Sequence, residues 1–332
     1  MGEWLVDAEV LARSRFVLSP LIETVATLRT LTTHPAPVRR GGRPSPAEAF
    51  RARLTADPFV RAWAAAGVGV HWTPDFLTRP PRHDTPTFAG ELARVRATPA
   101  REARADLAAA CGGRLPRALD VPDPAGRAAD LLDRVWQGVV RPDWPRRSRV
   151  LEADVIGRAH RLSRHGWAAA VADLGPRTRW LGNGRLRING ADRPSRDLTG
   201  ADLLFVPVGG PNGWVAWELP DSYAMIYPAS GTALADGPGT GPDGPPPVPD
   251  PLARLLGTNR ATLLTLLAPP RSTSQLAALT GLGLGSVGGH LKVLRDAGLV
   301  SRRRAGASVL YRRTPAADAL LGAGGTPRTA DG

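Results

Sequence analysis

The stretch from Ser272 to Tyr311 constrains the fold more than any other part of the chain, because its local pattern is the most specific one present. Ser272 or Thr273 opens a short helix with the apolar face Leu276, Ala277 and Leu279, and Gly281 stops it. After Leu282 and Gly283, apolar residues recur at Leu284, Val287, Leu291 and Leu294, a spacing that places them on one face of a second helix running to about Ala297. Two short helices joined by a Gly-containing turn make a helix-turn-helix. Ala297-Gly298-Leu299-Val300 then closes the second helix and starts a strand. Arg302, Arg303 and Arg304 lead to a turn at Gly306, and a second β-prone run, Ser308 to Thr314, returns. The segment Ser301 to Arg313 therefore reads as a β-hairpin wing whose arginines lie where phosphates would be met.

The run His290-Leu291-Lys292-Val293-Leu294-Arg295-Asp296-Ala297-Gly298-Leu299-Val300, followed by a basic hairpin ending in Tyr311-Arg312-Arg313-Thr314, resembles the winged helix-turn-helix of ArsR-type bacterial transcriptional regulators. The likeness spans about Pro251 to Leu321. It implies that the helix from Leu284 is a recognition helix, that double-stranded DNA is the partner, and that the protein works as a homodimer. Base contacts are expected from Ser286, Gly289 and Lys292, with Gly285 and His290 on the same helix. Phosphate contacts are expected from Ser274 or Gln275, from Arg295, and from Arg302, Arg303, Arg304, Arg312 and Arg313. Two departures matter. This region holds no Cys and only His290, so the metal sensing of many ArsR-type proteins does not carry over, and no metal or cofactor is expected. Glycines Gly283, Gly288 and Gly289 also replace some of the usual hydroxyl residues near the start of the recognition helix.

Gly283, Gly285 and Gly288 also satisfy G-x-G-x-x-G, but a dinucleotide site needs a preceding strand and an acidic residue about 20 positions later. Here a helix precedes the glycines and the downstream region is basic. Charge supports the nucleic-acid reading better than overall composition does. Of 43 Lys and Arg only Lys292 is lysine, a skew that fits GC-rich coding, so arginine abundance alone says little. Its distribution says more: Pro251 to Gly332 carries eleven Lys or Arg against three Asp, +8 of the chain's total of +13.

The rest of the chain reads as α+β. The expected organisation is an N-terminal dimerisation and effector domain over 1–234, helical over 1–172 with a small antiparallel β meander over 177–230. A linker over 235–250, the winged domain over 251–321 and a disordered tail over 322–332 complete it. Leu5 to Leu31 reads as mostly helical, with Ser19-Pro20 starting a stripe of Leu21, Val25, Leu28 and Leu31 for a core or dimer interface. His34 to Pro46 reads as a solvated loop bearing Arg39, Arg40 and Arg43, and Ser45 to Ala66 as helical with a break at Asp57-Pro58. Further helices are predicted over Thr87 to Ala97, Ala100 to Ala110, Asp123 to Val140 and Trp144 to His165. The last turns Val150, Leu151, Val155, Ala159 and Leu162 inward and Arg146, Arg147, Arg149, Arg158, Arg161 and Arg164 to solvent or an anionic pocket. Asn183-Gly184 signals a hairpin, with further strands over Leu203 to Val208, Trp214 to Leu219 and Tyr223 to Tyr227. Leu255, Leu256, Leu263, Leu264 and Leu267 are expected in the core of the winged domain. Ser14–Phe16, Leu18–Pro20 and Tyr227-Pro228 resemble N-terminal regions that accompany ArsR-type domains in actinobacterial regulators, a likeness that implies no ligand.

His71, Asp75, His83 and Asp84 invite a metal reading, but their spacing matches no helical or finger pattern, and structural or surface roles are expected. Cys111 is alone, which excludes an intramolecular disulfide. With no signal-peptide pattern and no apolar run of membrane-spanning length, a cytoplasmic protein is expected. Three functions compete: a sequence-specific regulator, acting as a repressor and holding a small-molecule effector in its N-terminal domain; an enzyme fused to a DNA-binding module; and a nucleoid-type protein without sequence preference. No G-x-S-x-G, phosphate loop or H-E-x-x-H supports the second, and the reading is of a non-enzyme.

Overall fold

The computed structural model describes residues 2–33, 46–70, 72–172, 174–175, 178–188, 194–229, 250–267, 270–280, 282–305 and 308–323. The expected linker lies outside these residues except for Asp250, and so does the tail beyond Ala323. The loop with Arg39, Arg40 and Arg43 lies outside them as well. The chain divides into two compact units, Met1–Pro145 with Leu174–Ala229 and Arg146–Asp173 with Ser230–Gly332. Residues 146–173, read above as part of the N-terminal domain, thus group with the C-terminal elements.

The first unit begins with β1 (Glu3–Leu5), α1 (Ala8–Arg13), β2 (Arg15–Phe16) and α2 (Pro20–Thr33). Then come α3 (Pro46–Thr55), α4 (Pro58–Ala65), α5 (Phe88–Arg96), α6 (Ala100–Ala110) and α7 (Pro124–Val135). Through a π-helical segment, Trp136–Val140, α7 continues into α8 (Arg141–Ala170). Local capping explains these starts. Asp57, Thr87 and Asp123 accept hydrogen bonds from the amides of Phe59, Gly90 and Gly126, and Pro58 and Pro124 occupy first-turn positions where no amide is needed.

α2 is buried on nearly every side, from Pro20 to Leu28. Its Leu21, Val25, Leu28 and Leu31 pack into the helical core with Phe59, Trp63, Leu92, Val95, Leu107 and Leu132. Its Ile22 and Ala26 face a sheet. Two layers thus cover it, and the hydroxyls of its buried Thr24 and Thr27 donate to carbonyls of the preceding turn.

The strands correct the sequence reading in two places. The start of the expected N-terminal helix is β1 and β2 flanking the short α1. β3 (Arg179–Gly182) and β4 (Arg185–Arg187) form the expected hairpin, with Asn183 at φ 48° and Gly184 at φ 69°. β1 joins it antiparallel to β4, and β5 (Arg196–Asp197) runs parallel to β1, in the order β3-β4-β1-β5. The second sheet is not an antiparallel meander. Its order is β2-β6-β8-β7, with β6 (Asp202–Val208) parallel to β8 (Ser222–Pro228), and β7 (Trp214–Glu218) antiparallel on the outer side of β8. The cause is in the residues: Leu203–Val208 and Tyr223–Tyr227 are continuous apolar runs buried on both faces, as central parallel strands are.

In the second unit, the face of α8 turned inward carries Leu151, Asp154 and Arg158. Ala159 is exposed, contrary to expectation, and Arg158 is fully buried. Its Nε donates to Asp154 Oδ2 at 2.8 Å and its Nη1 to the Ala170 carbonyl at 2.8 Å. A solvated arginine face thus describes Arg149 and Arg164 but not Arg158.

The C-terminal elements are α9 (Asp250–Leu256), α10 (Thr258–Leu266), β9 (Arg271–Ser272), α11 (Thr273–Thr280), α12 (Leu284–Asp296), β10 (Val300–Ala305), β11 (Ser308–Arg313) and α13 (Pro315–Ala323). Their core is Leu263, Leu264, Leu266, Leu267, Leu276, Val287, Leu291, Leu294, Val300 and Ala317. Leu255, expected inside, is 69% exposed, and Leu284 is 47% exposed. No described helix is long and apolar enough to cross a membrane.

Candidate nucleic-acid interface

α11 is anchored by a reciprocal cap. The Ser272 amide donates to Gln275 Oε1 at 2.7 Å, and the Gln275 amide donates to Ser272 Oγ at 3.3 Å. Gln275 is buried by this arrangement, so its side chain serves the framework and is not offered to a phosphate. The side chain of Ser274 lies outside the described residues.

Ahead of α11, β9 adds a third strand to the hairpin, with Arg271 opposite Tyr311 and Ser272 opposite Leu310. This places two guanidinium groups at the C-terminal end of α10, where carbonyls lack helical partners. Arg271 Nε donates to Leu266 O at 2.8 Å. Arg313 Nε donates to Leu264 O at 2.7 Å, its Nη2 donates to Thr265 O, and its Nη1 lies 3.4 Å from Asp318 Oδ1 in α13. Arg313, expected on phosphate, is thus committed to tying the hairpin to α10 and α13. Replacing it with Met is expected to cost about 1–3 kcal/mol of stability by removing charge-assisted hydrogen bonds from two carbonyls, which would keep only a shared bond from the Leu267 amide. The slope of log K against log salt for DNA should be unchanged. Urea unfolding and a salt titration check both, and a flattened slope would return Arg313 to the interface.

α12 buries Val287, Leu291 and Leu294. Its opposite side exposes Gly285, Ser286, Gly289, Lys292 and Val293, the last 48% exposed. His290 is half-buried, and its Nε2 lies 3.4 Å from Ser286 Oγ one turn earlier. A Cβ built on Gly283, Gly285, Gly288 or Gly289 would meet no atom within 4 Å. Packing inside the domain therefore requires none of these glycines, although an interior glycine costs a helix roughly 0.8–1.0 kcal/mol relative to alanine. What they leave is a helix face with bare backbone, the surface that lets another molecule approach closely.

The hairpin register pairs Ser301 with Arg312, Arg302 with Tyr311, Arg303 with Leu310 and Arg304 with Val309. Directly opposed residues share a face, so Arg302 and Arg304 lie on the face of Val300 and Tyr311, which packs on the core, and Arg303 and Arg312 on the other. Its turn at Gly306 lies outside the described residues. Lys292, Arg302, Arg303, Arg304 and Arg312 are all exposed, and among the described residues none of them pairs with a carboxylate. Arg312 Nε donates to Ser301 Oγ at 3.1 Å, and Arg295 is partly neutralised by Asp296 at 3.0 Å. Sequence reasoning passed over Val293, whose signal was its place seven residues after Ser286, on the exposed stripe and not the buried one.

In the first unit an open cleft is lined by Asp75, Arg79, Glu102, Asp106, Trp217 and Glu218. Burial pushes the Asp106 carboxyl up while the Phe76 amide, donating at 2.9 Å, holds it partly down. Glu102 is engaged by Arg79, and Glu218 by Arg82 and Arg94. Asp84 pairs with Arg15 at 2.9 Å, and His71 lies outside the described residues. Among the described residues no group of three or more His, Cys, Asp or Glu is placed to hold a metal ion.

The family model described as bacterial regulatory protein, arsR family, matches residues 258–302, which run from α10 through α12 into β10. No curated protein and no solved structure matches the chain.

Proposed function

We propose that the C-terminal unit docks α12 in the major groove of double-stranded DNA and lays the β10–β11 hairpin along the adjoining backbone as a wing. On this reading the protein is a cytoplasmic, sequence-selective transcriptional repressor that acts as a homodimer and is not switched by metals. The observation that carries it is the pairing of a bare, glycine-rich helix face with five exposed cations that have no carboxylate partner among the described residues. Ser286, Gly289 and Lys292 face the base edges, Val293 offers an apolar contact to a thymine methyl, and Arg303 and Arg312 meet phosphates.

Selection of random DNA by the full-length protein tests this. It should enrich a two-fold symmetric site with half-sites about one helical turn apart, bound by two copies as read by light scattering. Replacing Arg303 and Arg312 together with alanine should flatten the log K against log salt slope by about 1.8 for each subunit bound, a loss of about 60-fold per subunit at 0.1 M salt, on selected and random DNA alike. Recovery of no preferred sequence would favour a nucleoid-type role, and an unchanged slope would remove the hairpin from the backbone.

A further inference from the structure

Arg29, in the last turns of α2, has its guanidinium carbon 4.4 Å from the centre of the Trp214 ring. Its Nη1 and the Trp214 indole Nε1 are both closed off from solvent without a hydrogen-bond partner. Among the described residues Arg29 forms no ion pair, and burial alone pulls its guanidinium down to about 10, with no acid pulling it back. Two buried donors, one of them cationic, thus stand side by side with no acceptor among the described residues. Buried charges are otherwise paired or hydrogen-bonded, and an aromatic face compensates only part of the lost hydration.

The pair lies beside an exposed loop at one end of the sheet. Trp214 opens β7, directly after the loop Gly209-Gly210-Pro211-Asn212-Gly213, which leaves the C-terminal end of the parallel strand β6. In open parallel sheets that end is where ligands gather. Gly209 is tethered there by its amide, which donates to Glu23 Oε2 at 2.6 Å. A Cβ on Gly210 would come within 3.6 Å of Thr30 Oγ1, the residue after Arg29, so the loop lies over this part of α2. Pro211, Asn212 and Gly213 are exposed and form the open rim. On the far side, a Cβ on Gly69 would fall 2.9 Å from Arg29 Cγ, so a glycine there keeps the arginine stem in place.

We propose that Arg29 and Trp214, beneath the Gly209–Gly213 loop, bind the oxyanion group, carboxylate or phosphate, of a small effector. The planar guanidinium takes two oxygens of such a group side by side, and the indole N–H supplies a further donor. The inference concerns the first unit alone and does not rest on the DNA-binding reading.

The test is thermal unfolding of the full-length protein with inorganic phosphate and, separately, with acetate, each titrated against chloride at constant pH and ionic strength. At least one anion should raise Tm saturably, by about 3–5 °C at about ten times its Kd. Which anion does so assigns the oxyanion. Arg29→Met should abolish the response and, in chloride alone, melt no lower than the wild type, because it removes an unpaired buried charge. Trp214→Phe keeps the stacked ring and loses only the N–H donor, so it should weaken Kd about tenfold while leaving a response. A flat response to both anions in the wild type would overturn the proposal. So would equal responses in the wild type and Arg29→Met, which would place the anion on other arginines, or an unchanged Kd in Trp214→Phe.

Discussion

Raising the pH from 4 to 8 is expected to remove about 3 kcal/mol of stability from the first unit through one side chain, Glu91. It sits at the N-terminus of α2, where its Oε1 lies 2.6 Å from Ser19 Oγ and its Oε2 accepts from the Leu21 amide at 3.1 Å. Ser19 Oγ in turn accepts from the Ile22 amide at 3.0 Å, so the pair closes the first turn of the most buried helix in the unit. Burial pushes the Glu91 carboxyl up from 4.5 to about 7, against the downward pull of Ser19, Leu21 and Arg94. The sign follows from proton counts. Below pH 4.5 the group is protonated in both states and folding is not linked to pH. Between 4.5 and 7 the folded protein holds a proton that the unfolded chain has released, so stability falls as pH rises, and above 7 the loss is complete. At 1.36 kcal/mol per pKa unit the total is about 3 kcal/mol. Glu91→Gln is neutral at every pH and isolates the effect. Urea unfolding of wild type and variant across this range should show their difference moving by that amount. A difference independent of pH would mean that the carboxyl titrates in the fold as it does in the unfolded chain.

Glu91 also marks what a sequence shows and what it hides. Ser19-Pro20, Asp57-Pro58, Thr87 and Asp123-Pro124 announce helix starts because a cap is made within three residues, and all four are helix starts in the fold. That Ser19 shares its role with a carboxyl 72 residues away depends on how α2 and α5 meet, which no local pattern records. β1 and β2 were hidden for the same reason: they are three and two residues long, and their partners lie near residues 186 and 205. The parallel pairing of β6 and β8 did leave a trace, since unbroken apolar runs argue for strands covered on both faces, whereas Trp214–Glu218 at the sheet edge is only half-covered. At the candidate interface the helix face was legible from its period. The division of the basic residues into exposed and structural was not. Arg303 and Arg313 look alike in sequence, and what separates them is the pair of α10 carbonyls and the Asp318 carboxylate beside Arg313.

The double variant Gly285→Ala/Gly289→Ala is expected to stabilise the C-terminal unit and to weaken its hold on DNA at the same time. Both glycines are exposed, one turn apart on α12, and the added methyl groups would meet nothing within 4 Å. Free of any clash, the substitution at interior Gly289 should return the helix propensity that glycine forfeits, roughly 0.8–1.0 kcal/mol, and that at Gly285, in the first turn, a smaller part of it, so the pair should raise stability by about 1–2 kcal/mol. The same methyl groups stand on the face where Ser286 and Lys292 are proposed to reach base edges. If bare backbone there lets α12 sit deep in the groove, two methyl groups hold it off, at the usual overpacking cost of about 1–3 kcal/mol each. The selected site should lose that affinity, while random DNA, bound mainly through phosphate contacts, should lose much less. Because the two effects have opposite signs, loss of binding cannot be traced to unfolding. Urea unfolding together with titration of selected and random DNA by the same protein measures both. A variant that is more stable and binds the selected site as well as the wild type, or better, would show that the glycines only loosen the helix and that α12 does not approach DNA closely through this face.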